Sequence, residues 1–137
     1  MERIVVDASV IAASFLEEDM FHQESQTYID GLESGDYAFH LPTVVVVETI
    51  AAISRRVRIN RLAILARAKK SLDNWEGAGR IALYPLDQDR MNRAVVITEQ
   101  YRLRGMDSVI ATLAEEMDMP LKSFDGEILK RCPRASA

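Results

Sequence analysis

Short apolar runs alternate with longer stretches of helical spacing along the whole chain, and this alternation constrains the fold more than any single residue does. Arg3–Val6 (RIVV) is a short continuous apolar run, typical of a strand buried on both faces. Ala8–Leu16 follows with a helical pattern. Phe21–Leu32 reads as a second helix, with Phe21, Tyr28, Ile29 and Leu32 inward and Gly31 or Gly35 as its stop. Tyr37–Leu41 is the next strand candidate. Val44–Val47 places four β-branched residues in a row, which local propensity assigns to a strand. Pro42, however, suits a helix first turn, Thr43 is available as a cap, and Glu48–Arg56 continues at helical spacing, so a helix is expected there.

The pattern continues to the end of the chain. Asn60 is expected to cap a fourth helix from Arg61 to Trp75, with Leu62, Leu65, Ala66, Ala68, Leu72 and Trp75 inward and Gly77 and Gly79 ending it. Arg80–Leu86 gives another strand. Asp87 should cap a fifth helix, Gln88–Arg102, with Met91, Ala94, Val95, Thr98 and Tyr101 on one side. A helix over Met106–Met117, a strand over Met119–Ser123 and a short helix over Glu127–Arg131 follow. The tail after Arg131 is short and polar, so a last edge strand is expected to be missing or irregular. Strands separated by helices predict an α/β fold: a three-layer α/β/α sandwich around a mainly parallel sheet. At 137 residues the whole chain, 1–137, fits one domain able to bury a core of its own.

Four acids stand at special points of this pattern. Asp7 ends the first strand, just before a helix. Asp125 follows the last predicted strand, and Asp107 lies in the first turn of the helix before it. In an open α/β sheet, ligands bind beyond the carboxyl ends of the strands. Glu48 falls among Val45, Val47, Ala51 and Ala52, where an unpaired carboxylate carries a heavy desolvation cost. Plain structural roles fit the same residues: Asp107 as a helix cap, Asp125 as a turn residue, and Glu48 as a solvated acid. Ser9 reads first as a helix cap, by the usual preference of Ser for that role, with a hydroxyl facing the same crevice as the alternative. Arg55, Arg56, Arg58, Arg61, Arg67, Lys69 and Lys70 form a basic cluster, readable as a solvated face or as a surface that tracks phosphates.

Charge bears on which chemistry this is. With 17 basic and 21 acidic residues the net charge is −4, not the basic balance of a typical nucleic-acid binder. A metal nuclease is the exception, because its ligands are acids. Carboxylate oxygens suit Mg²⁺, with Mn²⁺ as substitute. His22 and His40 have no partner at zinc-ligand spacing. Cys132 is alone, which excludes an internal disulfide and fits a reducing cytoplasm. No leader pattern or bilayer-length apolar run is present, so a cytoplasmic protein without membrane contact is expected.

The chain resembles the PIN-domain family, in particular its small toxins of the VapC type. The resemblance is carried by Val5-Val6-Asp7-Ala8-Ser9, by Leu41-Pro42 with Glu48 and Ala51, by Tyr101, Gly105, Asp107-Ser108 and Ala111-Leu113-Ala114, and by Leu121 with Ser123-Phe124-Asp125. It covers nearly the whole chain; Ser108 stands where Ala is frequent. It implies a Mg²⁺- or Mn²⁺-dependent ribonuclease with Asp7, Glu48, Asp107 and Asp125 as its catalytic site. Asp7, Asp107 and Asp125 would be the metal ligands, and Glu48 would complete the shell or position water. Ser9 and Ser123 match positions where the family keeps a hydroxyl near the acids. The resemblance also implies an RNA substrate, a homodimer and a cognate antitoxin. A PIN domain acting outside toxin–antitoxin pairs, or as a non-catalytic binding module, is the alternative; loss of an acid would mark the module, and all four are present. A phosphatase of the haloacid-dehalogenase type would want an acid where Ser9 stands. A response-regulator receiver would want paired acids at the end of the first strand.

Overall fold

The computed structural model describes residues 1–137. Its five strands are β1 (Glu2–Val6), β2 (Tyr37–Pro42), β3 (Ile81–Tyr84), β4 (Leu121–Lys122) and β5 (Ala135–Ser136). They form one sheet in the order β3-β2-β1-β4-β5, and every pairing is parallel. The chain therefore winds one way from β1 to β3 and the other way through β4 to β5. That reversal beside β1 is the switch point where α/β sheets open a crevice. Ile4, Phe39, Leu41 and Leu121 are fully buried and form the centre of the core.

Seven helices cover the sheet, giving the three-layer α/β/α sandwich: α1 (Ala8–Ser14), α2 (His22–Ser34), α3 (Thr43–Arg56), α4 (Arg61–Gly77), α5 (Gln88–Tyr101), α6 (Gly105–Met117) and α7 (Gly126–Arg131). Helix α6 lies on β1 and β2 and carries α5 on its outer side. Arg90 and Arg93 of α5 both reach Glu116 of α6, at 2.9 and 2.8 Å, and clasp the two helices together. Helix α1 packs on α2 and α3. A second small core of Ala12, Leu16, Ile53, Leu65 and Ala68 ties α1, α3 and α4 together.

The Val44–Val47 run is helical, as the Pro42 and Glu48–Arg56 context predicts. Val45 and Ile53 face the core, and packing of that stripe outweighs the β-branched preference for strands. Thr43 is not the cap: Pro42 holds the N-cap position without a side-chain bond. Gly35, at φ 89, stops α2, while Gly31 stays inside it.

Two inward faces differ from expectation. In α5 the buried residues are Ala94 and Ile97, whereas Met91 and Val95 are exposed. Apolar residues occur on several sides of that helix, so spacing alone did not choose a face; packing on α6 did. In α4, Leu62 is 76% exposed and Ala66 is also outside. Asn60 occupies the N-cap position with φ 56 and makes no capping bond. The tail does supply an edge strand, the two-residue β5 beside β4.

Candidate active site

The four acids, far apart in sequence, line one cavity of about 430 Å³. Parallel pairing sends β1, β2 and β4 out at the same edge of the sheet, and Asp7, Glu48 and Asp125 each follow from that edge. Asp7 comes directly after β1 and caps α1, its Oδ1 accepting from the Ser9 N–H at 3.1 Å. Ser9 is therefore not the cap. Its hydroxyl donates to the same Asp7 oxygen and accepts from the Phe124 N–H at 3.0 Å. Asp125 caps α7 after β4, accepting from the Glu127 and Ile128 N–H groups. Asp107 sits in the first turn of α6 behind Arg104, which holds the N-cap position. Glu48 reaches in from the second turn of α3.

Ser123 joins two of these elements. Its hydroxyl donates to Asp7 Oδ2 at 2.8 Å and accepts from the Asp125 N–H at 3.0 Å. Asp7, only 5% exposed, is thus fixed at both oxygens by serines. Its pKa is raised, because desolvation outweighs the hydrogen bonds of Ser9 and Ser123. Glu48 is also raised, first by burial and then by the charges of Asp107 and Asp7. Burial likewise raises Asp107, against the opposing hydrogen bond from Arg104. Glu48 Oε1 is buried and has no hydrogen-bond partner.

One cation already stands among these acids. Arg104 donates through Nε to Asp107 Oδ2 at 3.0 Å and through Nη2 to Asp125 Oδ2 at 3.1 Å. Its guanidinium marks where positive charge is accepted. No three carboxylates converge tightly enough in this arrangement to form a closed ligand cluster. The donor set nevertheless fits a hard divalent ion: several carboxylates, one orphaned oxygen, and a guanidinium standing in for the charge. Mg²⁺ usually keeps several waters and takes only one or two carboxylates directly, so an open arrangement suits it.

A family model for the PIN domain matches residues 4–134. The chain belongs to the PIN-domain family. Solved structures share its fold. A protein of Pyrobaculum aerophilum is 18% identical with a TM-score of 0.72, the match covering 98% of this chain and 82% of that one. A toxin–antitoxin complex from Klebsiella pneumoniae is 13% identical with a TM-score of 0.70, covering 98% and 96%. The sarcin–ricin-loop-cleaving toxin VapC20 of Mycobacterium tuberculosis is 19% identical with a TM-score of 0.65, covering 90% of each chain. A search of curated protein sequences returned no match.

In this PIN domain two crevice residues were not legible from sequence. Arg104 lies just before the helix expected over Met106–Met117, and its spacing of three from Asp107 is the available signal. Asp19, in the acidic stretch Glu17-Glu18-Asp19, lines the crevice and pairs with Arg56 at 2.6 Å. The basic cluster divides. Arg55 and Arg56 line the crevice, while Arg58 and Arg67 line a neighbouring groove. Arg61 turns back to Ser54, and Lys69 and Lys70 are exposed on α4. His22 bonds the Ala13 carbonyl and His40 the Tyr84 hydroxyl, each at 2.7 Å, so neither joins the acids. Cys132 is buried, and burial pushes its thiol pKa up. No helix is long and apolar enough to cross a membrane.

Proposed function

We propose that this PIN domain is a Mg²⁺-dependent ribonuclease, with Mn²⁺ as a substitute ion, and the toxin of a toxin–antitoxin pair. The observation that carries this reading is the crevice of Asp7, Glu48, Asp107 and Asp125. Three of these carboxyls are held above their ordinary pKa, and one buried Glu48 oxygen lacks a partner. Such a set is unfavourable in a bare protein and becomes favourable around a divalent ion. Asp7, Asp107 and Asp125 would hold it. When bound, the ion lowers the pKa of water and stabilises charge on a departing oxygen of the phosphodiester.

The chain's own groups do the positioning. Ser9 and Ser123 fix both oxygens of Asp7, so its ligand direction is set before substrate arrives. Glu48 orients a water toward the phosphorus through its free oxygen. Arg55, exposed at the crevice wall, is placed to hold a flanking phosphate of single-stranded RNA. A cognate antitoxin would cover the crevice, and a homodimer would cover exposed apolar side chains such as Met91, Val95 and Val96 on α5. The similar Klebsiella pneumoniae structure is a toxin–antitoxin complex, which supports the antitoxin.

The test is cleavage of labelled single-stranded RNA by wild type and by Asp107→Asn, at equal concentration and with Mg²⁺. The variant should fold and lose cleavage by at least about a hundredfold, the scale of removing one such electrostatic element. Metal-dependent cleavage at the wild-type rate in Asp107→Asn would sink the assignment.

A further inference from the structure

The ion site proposed above is already engaged by a side chain of the same molecule. Arg104 bonds Asp107 and Asp125 at once, through different nitrogens, at 3.0 and 3.1 Å. Its charge is also felt by Glu48. The guanidinium therefore interacts with three of the four acids. The guanidinium holds one oxygen of each, Asp107 Oδ2 and Asp125 Oδ2, so an ion shared by these two carboxylates competes with it for the same negative charge.

The backbone of Arg104 is anchored, while its side chain is not. Leu103 before it is buried. The Arg104 carbonyl accepts from the Ser108 N–H at 2.9 Å and from the Ser108 hydroxyl at 3.0 Å. Helix α6 thus keeps its start whatever the side chain does. The side chain itself is 67% exposed, against 9% for Asp107 and 32% for Asp125. Its two bonds to carboxylates are its only side-chain bonds among the protein's hydrogen bonds. It can swing outward without disturbing the core.

Resting on the metal-nuclease reading, we propose that Arg104 is a tethered rival of the divalent ion: it neutralises Asp107 and Asp125 in the ion-free protein and must swing out for the ion to bind. The energetic scale is compatible with a reversible gate. The Arg104 end of both pairs is open to solvent, which screens them and lets them break and re-form. Apparent affinity falls by the fraction of molecules whose site is open. The gate therefore lowers ion affinity several-fold without abolishing it.

The experiment is calorimetric titration of Mn²⁺ into wild type, Arg104→Gln and Arg104→Lys, without RNA. Asp7→Asn is included to show that the heat comes from this crevice. The protein need not be active for the measurement. Arg104→Gln is expected to bind Mn²⁺ about three- to tenfold more tightly than wild type, with Arg104→Lys between them. In parallel, the Arg104 Nε–H resonance of wild type is followed while Mg²⁺, which is diamagnetic, is added. It should shift along the same saturation curve as the metal. Mn²⁺ binding to wild type with no tightening in Arg104→Gln overturns the gate and leaves the nuclease reading standing. Binding by Arg104→Gln alone supports the gate in a stronger form. No binding by either chain overturns both.

Discussion

Ser123 donates its hydroxyl to Asp7 at 2.8 Å across 116 positions of sequence, joining the end of β4 to the end of β1. The same hydroxyl receives the Asp125 N–H. Ser123→Ala should leave a buried carboxylate oxygen and a loop amide unpaired together. The expected loss is about 1–3 kcal/mol in urea unfolding at neutral pH. Ser136→Ala is the control, since that hydroxyl meets only Lys122 at the surface, and should stay within about 0.5 kcal/mol. Equal stability of the two variants would contradict a bridging role.

The raised carboxyls make a pH prediction for the metal-free protein. Asp7, Glu48 and Asp107 take up protons more readily when folded than unfolded. Between their ordinary values, 3.8 for Asp and 4.5 for Glu, and their higher folded values, the folded state binds more protons. Stability from these groups therefore falls as pH rises through that window and stays lost above it. Asp7→Asn removes one such group, so its metal-free stability at pH 7 should exceed that of wild type. Thermal unfolding in EDTA between pH 4 and 8 checks this. An Asp7→Asn protein less stable than wild type at pH 7 would show that the serine bonds outweigh the burial.

Helix α2 and strand β2 approach closely at Gly31. A methyl group there would land on the ring of Tyr37. Gly31→Ala gains helix propensity but overpacks the contact, and a net loss of about 1–3 kcal/mol is expected. Gly77→Ala meets nothing within 4 Å and should be neutral or slightly stabilising. Chemical denaturation of both variants separates the two effects.

Most of the architecture was legible because strands and helices alternate and the first strand carries the apolar run Ile4–Val6. The Val44–Val47 run was resolved by its flanks, Pro42 and Glu48–Arg56. The inward faces of α4 and α5 were not legible, since Leu62, Met91 and Val95 satisfy a spacing rule that tertiary packing did not use. Asp7, Asp107 and Asp125 stand at strand ends and helix starts, positions that sequence pattern does mark, while Glu48 stands out by its apolar neighbours. Arg104 and Asp19 were missed because their roles depend on distances between elements: Arg104 meets Asp125 across 21 positions and Asp19 meets Arg56 across 37. Periodicity carries no information about such pairs.

On this reading the carboxylates hold a divalent ion, and anomalous scattering from crystals soaked in Mn²⁺ checks that binding. One peak or a close pair of peaks is predicted inside the crevice, with oxygens of at least two of Asp7, Asp107 and Asp125 about 2.0–2.4 Å away, and with Arg104 turned outward. A crevice without an anomalous peak at saturating Mn²⁺, with Arg104 still bridging Asp107 and Asp125, would contradict it.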